Sequence, residues 1–569
     1  MTDRFDMEGF IPAVVAEEEK RHEFQDDDED DEPDLLDEEY PEPSQLVGNS
    51  HARRLIHMQA MRNSQRRQAH NNALAAIAPR LEILRNMPFF IPFATRVQIF
   101  RQFIFRDQQR RRKGFVEPES WRLSVAQSAM MNGQAEGAAD ILARHHADIR
   151  RESVFEDAFS QYYGLGDGLK EPIQISFIDQ FGAMEAGIDG GGVTKEFLTS
   201  VTAEAFKTDD YESMFAENDH HLLYPSPVAV DQLKKVLSEA GLTSSSPEWQ
   251  NDVRGLLRRY EFLGRIIGKC LYEGILVDVN FAPFFLLKWA LTGGSRSAVK
   301  ESSYRANLND LKDLDEGLYQ GLVSSISWQD RDCVFLNLQL TNLIHQLQLK
   351  NYPGDVEDFG LDFTINNVIR MPGGQNRTVT AELKPSGSQT PVTSKNRLVY
   401  ISYVARYRLQ LQPALQTNAF LQGLGQIIQP AWLSMFNQSE LQTLVSGDKA
   451  DIDVEDLRRN TLYGGVYVIG DDNLEHPTIA LFWQVMHEMT NEERQKVIRF
   501  VTSTPRAPLL GFSHLRPHFS IRDSSDDQER LPSTSTCVNL LKLPRYSDAD
   551  TLRSKLLYAV SSGAGFDLS

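Results

Sequence analysis

The segment from Leu256 to Leu276 constrains this chain more than any other. Leu263, Ile266, Ile267, Cys270, Leu271, Gly274 and Ile275 recur at i, i+3, i+4 and i+7, while Arg258, Arg259, Arg265 and Lys269 lie off that stripe. The spacing predicts one long amphipathic helix, and so continuous an apolar face must be covered by other elements. Around it, the recurrence of Ile149, Phe155 and Phe159 predicts a helix over Ile141 to Tyr163, and the alternation of Ile173 to Phe177 predicts a strand. Leu336 to Leu349 fits both periods and is read as helix. Helical patterns return over Phe482 to Phe500 and Thr551 to Val560, with a short buried strand at Val538 to Leu543. The expected class is α+β, mainly helical first and mixed towards the C-terminus.

A chain of 569 residues exceeds what one core serves, so several domains are expected. Between Glu17 and Glu42 sixteen Asp or Glu face only Lys20 and Arg21, which places 14 of the 20 net negative charges in this stretch. Such a run repels itself and has no apolar period, so residues 1–50 are read as a disordered acidic tail. Residues 51–139 are read as a helical extension. His51 to Ala76 reads as a polar helix or a loosely helical linker, whose basic face lacks the interleaved aromatics of a nucleic-acid binder. From Leu81 a proline-punctuated aromatic segment precedes a further helix, and Arg110 to Lys113 fit a nuclear signal or plain surface charge. The compact region is expected from about residue 140. The polar run Gly447 to Asp451 divides it into 140–448 and 449–569. No internal repeat suggests a solenoid or propeller.

Three cysteines and no CxxC pair give no disulfide framework and no zinc site, which fits the cytoplasm or nucleus. The first residues lack an apolar signal core, and no apolar run reaches the roughly 20 residues that span a bilayer. Neither a metal nor a cofactor is expected. His145, His146, His220 and His221 are adjacent pairs rather than i, i+4 ligands, and Gly190 to Gly192 lack the GK[ST] of a phosphate loop.

Each cysteine is weighed against the ordinary role of a small buried hydrophobe. Cys270 sits on the apolar stripe and reads as core. Cys333, between Asp332 and Val334, has no activating neighbour in sequence and reads as core or a surface bystander. Cys537 ends the loop Leu531 to Thr536 and directly precedes a strand, which places a thiol at the surface of a rigid scaffold. On loop context alone a nucleophile and a bystander remain equally open.

Residues 531–569 decide between them. Leu531-Pro532, Thr536 directly before Cys537, Asn539 two residues after it, Leu543-Pro544 followed by Tyr546, and Phe566 after Gly565 resemble the C-terminal signature of HECT ubiquitin ligases. The blocks at 175–198, 262–281 and 382–401, then those at 420, 451, 482 and 499, follow in that family's order, so the resemblance covers about 400 residues. Leu81 to Ile104 and Arg144 to Phe159 resemble the proteasome-associated subclass, in a fungal-like form. Its members usually carry longer N-terminal regions, so a shortened form is expected. One position departs: many members have His two residues before the cysteine, where Ser535 stands here.

The resemblance implies a bilobal fold, with a large mainly helical N-lobe and a small α/β C-lobe joined by a hinge near 447–453. It implies that ubiquitin passes from a conjugating enzyme to Cys537 as a thioester and then to substrate lysines. One thioester is exchanged for another, so positioning dominates, and an ordinary thiol is already a few per cent thiolate at neutral pH. By the same resemblance Thr536 donates to the thioester oxyanion or shapes the loop. Phe566 docks the C-lobe tail or simply packs, and Asp567 orients the attacking amine. Alignment with the family's apolar groove assigns Leu318, Leu322, Tyr352, Leu361 and Tyr400 to the conjugating enzyme, though each could equally be core. The implied partners are the charged conjugating enzyme, ubiquitin, protein substrates and, by the subclass resemblance, the proteasome, with no nucleic acid and no membrane. Two rival readings stand: a non-catalytic scaffold of the same fold, and a cysteine hydrolase drawing a base from His514 or His518.

Overall fold

The computed structural model describes residues 87–131, 135–179, 181–184, 192–208, 213–290, 304–323, 355–372, 374–447, 451–470 and 474–561. Tyr352, Cys333, Phe566, Asp567, the acidic tail and the segment 336–349 lie outside the described residues, as do Gly190 and Gly191. Two compact units are present, Met1–Val116 and Glu117–Ser569.

In the first unit a turn at Pro88–Phe90 leads into the helix Phe93–Arg111, which buries Val97, Ile99, Phe100, Phe103 and Ile104. Arg96 is also buried and donates from Nε to the Ile91 carbonyl at 2.9 Å, closing the proline-aromatic turn. The basic run at its end is not uniformly exposed. Arg112 is buried and donates to the Val116 carbonyl at 2.7 Å, so its charge is tied to the chain that follows.

The second unit begins at Glu117, upstream of the boundary expected at residue 140, and takes in the helices Pro118–Met131 and Ala135–Arg144. The single helix expected over Ile141 to Tyr163 is not formed. His146–Arg150 is a strand, parallel to Gln174–Ile178, and the helix resumes only at Val154–Tyr162. Ile149 pairs opposite Phe177 and is fully buried, so sheet pairing over five residues overrides the helical period.

The long helix runs Pro247–Glu273. Proline opens it, the Ser246 side chain accepts from the Trp249 amide, and Gly274 closes it at φ 75° in the left-handed region. Its stripe from Tyr260 to Tyr272 is buried, chiefly against the helix Ala414–Ile427. The two backbones meet almost without side chains between them. A Cβ on Gly264 would lie 1.9 Å from the Phe420 carbonyl oxygen, and one on Gly423 would lie 1.8 Å from that of Glu261. Off the stripe, Arg265 joins three segments, donating to Glu261 and Gln426 at 2.5 Å each and to the Tyr163 carbonyl at 2.7 Å.

A second core gathers side chains from Ile452 to Leu556, including Phe482, Trp483, Val497, Ile521, Leu541 and Leu552. It packs helices on a four-stranded sheet ordered Leu462–Gly464, Ser520–Asp523, Leu540–Leu543, Ser533–Ser535. The helix expected over Phe482 to Phe500 is two, Pro477–Glu488 and Asn491–Thr502. Thr490 breaks it by capping the second, accepting from the Glu493 amide while the Glu493 carboxylate accepts from the Thr490 amide. The C-terminal helix is Ala549–Ser561. The fold is thus α+β and bilobal, a large mainly helical lobe followed by a small α/β lobe.

Candidate active site

Cys537 lies in the 3-10 turn Thr536–Val538, which links the antiparallel strands Ser533–Ser535 and Leu540–Leu543. The strand expected from Val538 therefore begins two residues later. Asn539 completes the turn in the left-handed region, at φ 50°, a conformation asparagine tolerates better than most residues. Its amide donates back to the Thr536 carbonyl at 3.3 Å, and its carbonyl accepts from the Ser520 amide at 2.9 Å. The nucleophile's turn is thereby fastened to the neighbouring parallel strand.

The loops around the turn are anchored separately. Tyr467 and Tyr546 hydroxyls donate to the Leu543 and Arg530 carbonyls at 3.0 and 2.5 Å, fixing the chain on either side of the cysteine turn. Val538 is half-exposed, Thr536 is partly buried and Asn539 is fully buried. The turn thus keeps one side towards solvent while its last residue is locked inside.

The side chain of Asn539 connects what the sequence keeps far apart. Its Nδ2 donates to the Pro517 carbonyl at 2.5 Å, and its Oδ1 accepts from Lys195 Nζ at 2.9 Å. Lys195 belongs to the helix Gly192–Ala205 of the large lobe and is itself buried. Sequence reasoning missed Lys195, because a contact spanning 344 positions leaves no local period. Asn539 was part of the signature, but its bridging role was not.

The lobes also meet near Gly447, at the start of the segment expected to act as a hinge. Gly447 has φ 87°, and a Cβ there would lie 3.0 Å from the Ala507 carbonyl oxygen. Arg506 donates to the Asn280 side chain at 3.1 Å and to the Ser446 hydroxyl. Arg499 pairs with Asp278 at 3.7 Å.

The other candidates fall elsewhere. Cys270 is buried in the stripe, and desolvation pushes its thiol up to about 12, which keeps it protonated and unreactive. His514 bonds to the Ser513 hydroxyl at 3.0 Å and the Leu510 carbonyl at 3.1 Å, and His518 contacts Arg516 at 3.0 Å. His518 does sit beside Pro517, so its loop reaches the cysteine turn through Asn539. Leu318, Leu322, Leu361 and Tyr400 lie in the large lobe. All four are buried, and Tyr400 packs edge-on against Phe363 with centroids 5.4 Å apart. An apolar pattern reports burial and does not separate a groove wall from a core. On the same helix, Arg397–Arg406, the exposed apolar side chains are Leu398 and Val399.

Among the described residues no group of three or more His, Cys, Asp or Glu could hold a metal ion. Among the same residues no helix is long and apolar enough to cross a membrane.

A small α/β lobe that carries a cysteine on a strand-to-strand turn, following a large helical lobe, is the arrangement of a ubiquitin-transferring domain. Residues 199–569 match the HECT-domain (ubiquitin-transferase) family, and the chain belongs to it. It is 42% identical over 492 residues to a probable E3 ubiquitin protein ligase of Schizosaccharomyces pombe, covering 86% of this chain and 39% of that one. Identity is 38% to the E3 ubiquitin-protein ligase HUL5 of Saccharomyces cerevisiae, covering 86% and 45%, and 34% to the human ubiquitin-protein ligase E3B, covering 86% and 40%. The chain thus spans about two fifths of the length of these relatives.

Proposed function

We propose that this chain is a ubiquitin ligase that accepts ubiquitin from a charged conjugating enzyme onto the thiol of Cys537 and passes it to substrate lysines. The observation that carries the reading is the fastened turn Thr536–Asn539, which holds Cys537 at a fixed place on the small lobe, with a glycine hinge leading into that lobe. A thiol is nucleophilic enough without a dedicated base when it is held against a thioester. The hinge supplies the two positions needed, one facing the donor and one facing the acceptor. Thr536, directly before the cysteine, donates to the oxyanion. Phe566 and Asp567 are assigned to lobe docking and amine orientation by resemblance to the family. Tyr352 retains its assignment to the conjugating enzyme on the same ground, and the exposed Leu398 and Val399 offer that partner apolar surface above the buried Tyr400.

Resemblance to the proteasome-associated subclass supports a role in protein degradation linked to the proteasome, in the cytoplasm or nucleus. Neither a cofactor nor a metal is needed for this chemistry.

The test is a pulse-chase with labelled ubiquitin preloaded on a conjugating enzyme, followed on non-reducing and reducing gels. The wild-type chain is expected to form a reductant-sensitive adduct that Cys537→Ala lacks. An adduct that persists in Cys537→Ala would place the acceptor on another residue. The absence of any adduct across a broad panel of conjugating enzymes would favour the scaffold.

A further inference from the structure

We propose that Lys195 is a positioning residue for the second half of the reaction, the transfer of ubiquitin from Cys537 to a lysine. This rests on the reading of Cys537 as the thioester carrier.

Among the described residues, the lobes are joined near Gly447 and again at the cysteine turn. Arg506, with Asn280 and Ser446, and Arg499, with Asp278, all sit close to the hinge at Gly447, since Ser446 is its direct neighbour. Contacts at a hinge leave rotation about it almost free, because small displacements there become large ones at the far end. The Lys195 to Asn539 hydrogen bond instead lies on the cysteine turn itself, and the turn packs on the helix that carries Lys195. It therefore ties the small lobe to one rotational position.

Both ends of this bond are firm. Asn539 is fully buried and held by Pro517 and Ser520 within its own lobe. The Gly192–Ala205 helix is fixed by its other side chains. Glu196 pairs with Arg151 at 2.8 Å, Glu204 caps the helix starting at Val154, and Phe197 packs edge-on against Tyr162 at 5.8 Å. Lys195 delivers its ammonium from a rigid base, and a charged donor in a water-poor contact makes a strong hydrogen bond.

The geometry also selects the step. With the bond made, the turn faces the Gly192–Ala205 helix, and Val538, next to Cys537, is exposed. In that step the lysine nitrogen attacks the thioester carbonyl, the C–N bond forms, and the C–S bond breaks. The amine gives up one proton and the sulfur leaves as thiolate, taking up a proton from solvent. Neither partner can tolerate much misplacement, so losing the Lys195 to Asn539 contact slows this step. Receiving ubiquitin needs the lobe elsewhere, against the docked donor, and does not use the bond.

The experiment uses the full chain as wild type, Lys195→Met, Lys195→Gln and Lys195→Arg. Single-turnover charging from a ubiquitin-loaded conjugating enzyme is timed first, and discharge of the isolated thioester to free lysine second. Lys195→Met is expected to slow discharge at least about tenfold, the range spanned by one charged hydrogen bond. Charging should stay within twofold of wild type, which also shows that the variant folds. Lys195→Arg, which keeps the charge and the reach, should recover most of the discharge rate, and Lys195→Gln should not. If Lys195→Met does not fold, the contrast between Arg and Gln decides alone. Unchanged or faster discharge, or charging and discharge falling together, would overturn the proposal. A wild-type chain that takes no thioester would instead sink the reading of Cys537, and this proposal with it.

Discussion

Cys537→Ser is expected to turn a reductant-sensitive adduct into one that survives reductant and is cleaved by hydroxide. The serine hydroxyl occupies nearly the same place in the Thr536–Val538 turn, so the fold and the docking of the donor should be unaffected. What changes is the nucleophile. A thiol supplies some thiolate at neutral pH, whereas a hydroxyl without a general base supplies almost no alkoxide. Charging should slow on the order of a hundredfold or more, the size of contribution that an absent base withholds. The ester is also a poorer acyl donor than a thioester, so the adduct should accumulate and discharge little to lysine. An adduct in Cys537→Ser that forms at the wild-type rate and stays reductant-sensitive would mean that ubiquitin sits on another thiol.

Gly264→Ala is expected to cause a large loss of stability in the large lobe. Helix propensity alone favours alanine over glycine by about 1 kcal/mol. Here the added carbon would stand 1.9 Å from the Phe420 carbonyl oxygen and 2.8 Å from the Leu424 amide nitrogen, both backbone atoms of a packed helix. Neither can swing aside as a side chain would, so the two helices must separate along a heavily buried face. Overpacking of that kind costs about 3 kcal/mol or more, which outweighs the propensity gain. The melting temperature should fall on the order of 10 °C. Gly423→Ala, facing the Glu261 carbonyl oxygen at 1.8 Å, should behave alike. The double variant should lose less than the sum, since one separation of the helices relieves both clashes. An unchanged melting temperature in either single variant would contradict the close approach.

What the sequence disclosed depended on the range of the interaction that decides each element. The helix Pro247–Glu273 was legible because its stripe, its opening proline and its closing glycine are all local. His146–Arg150 was not, because its pairing with Gln174–Ile178 lies beyond any local window and Ile149 fits a helical stripe as well as a strand. Thr490 and Glu493 are a readable capping box, and attending to them divides the helix that apolar period alone ran together. At the site, Cys537 stood out through its loop and its signature, both contiguous. For Leu318, Leu322, Leu361 and Tyr400, all buried, apolar identity does not encode whether a wall lines a groove or a core. Lys195 was invisible for the opposite reason: a lysine near a glycine run reads as solvated surface until the fold brings Asn539 to it.

The most direct test of the central claim is to map the adduct on the Cys537→Ser chain, whose ester withstands tryptic digestion. Cleavage after Arg530 and Lys542 isolates residues 531–542 as one peptide. This peptide is expected to carry the ubiquitin-derived glycine pair on the substituted hydroxyl oxygen, at the position Cys537 holds in the native chain. A remnant found on a peptide containing Cys270 or Cys333, or on lysines alone, would contradict it.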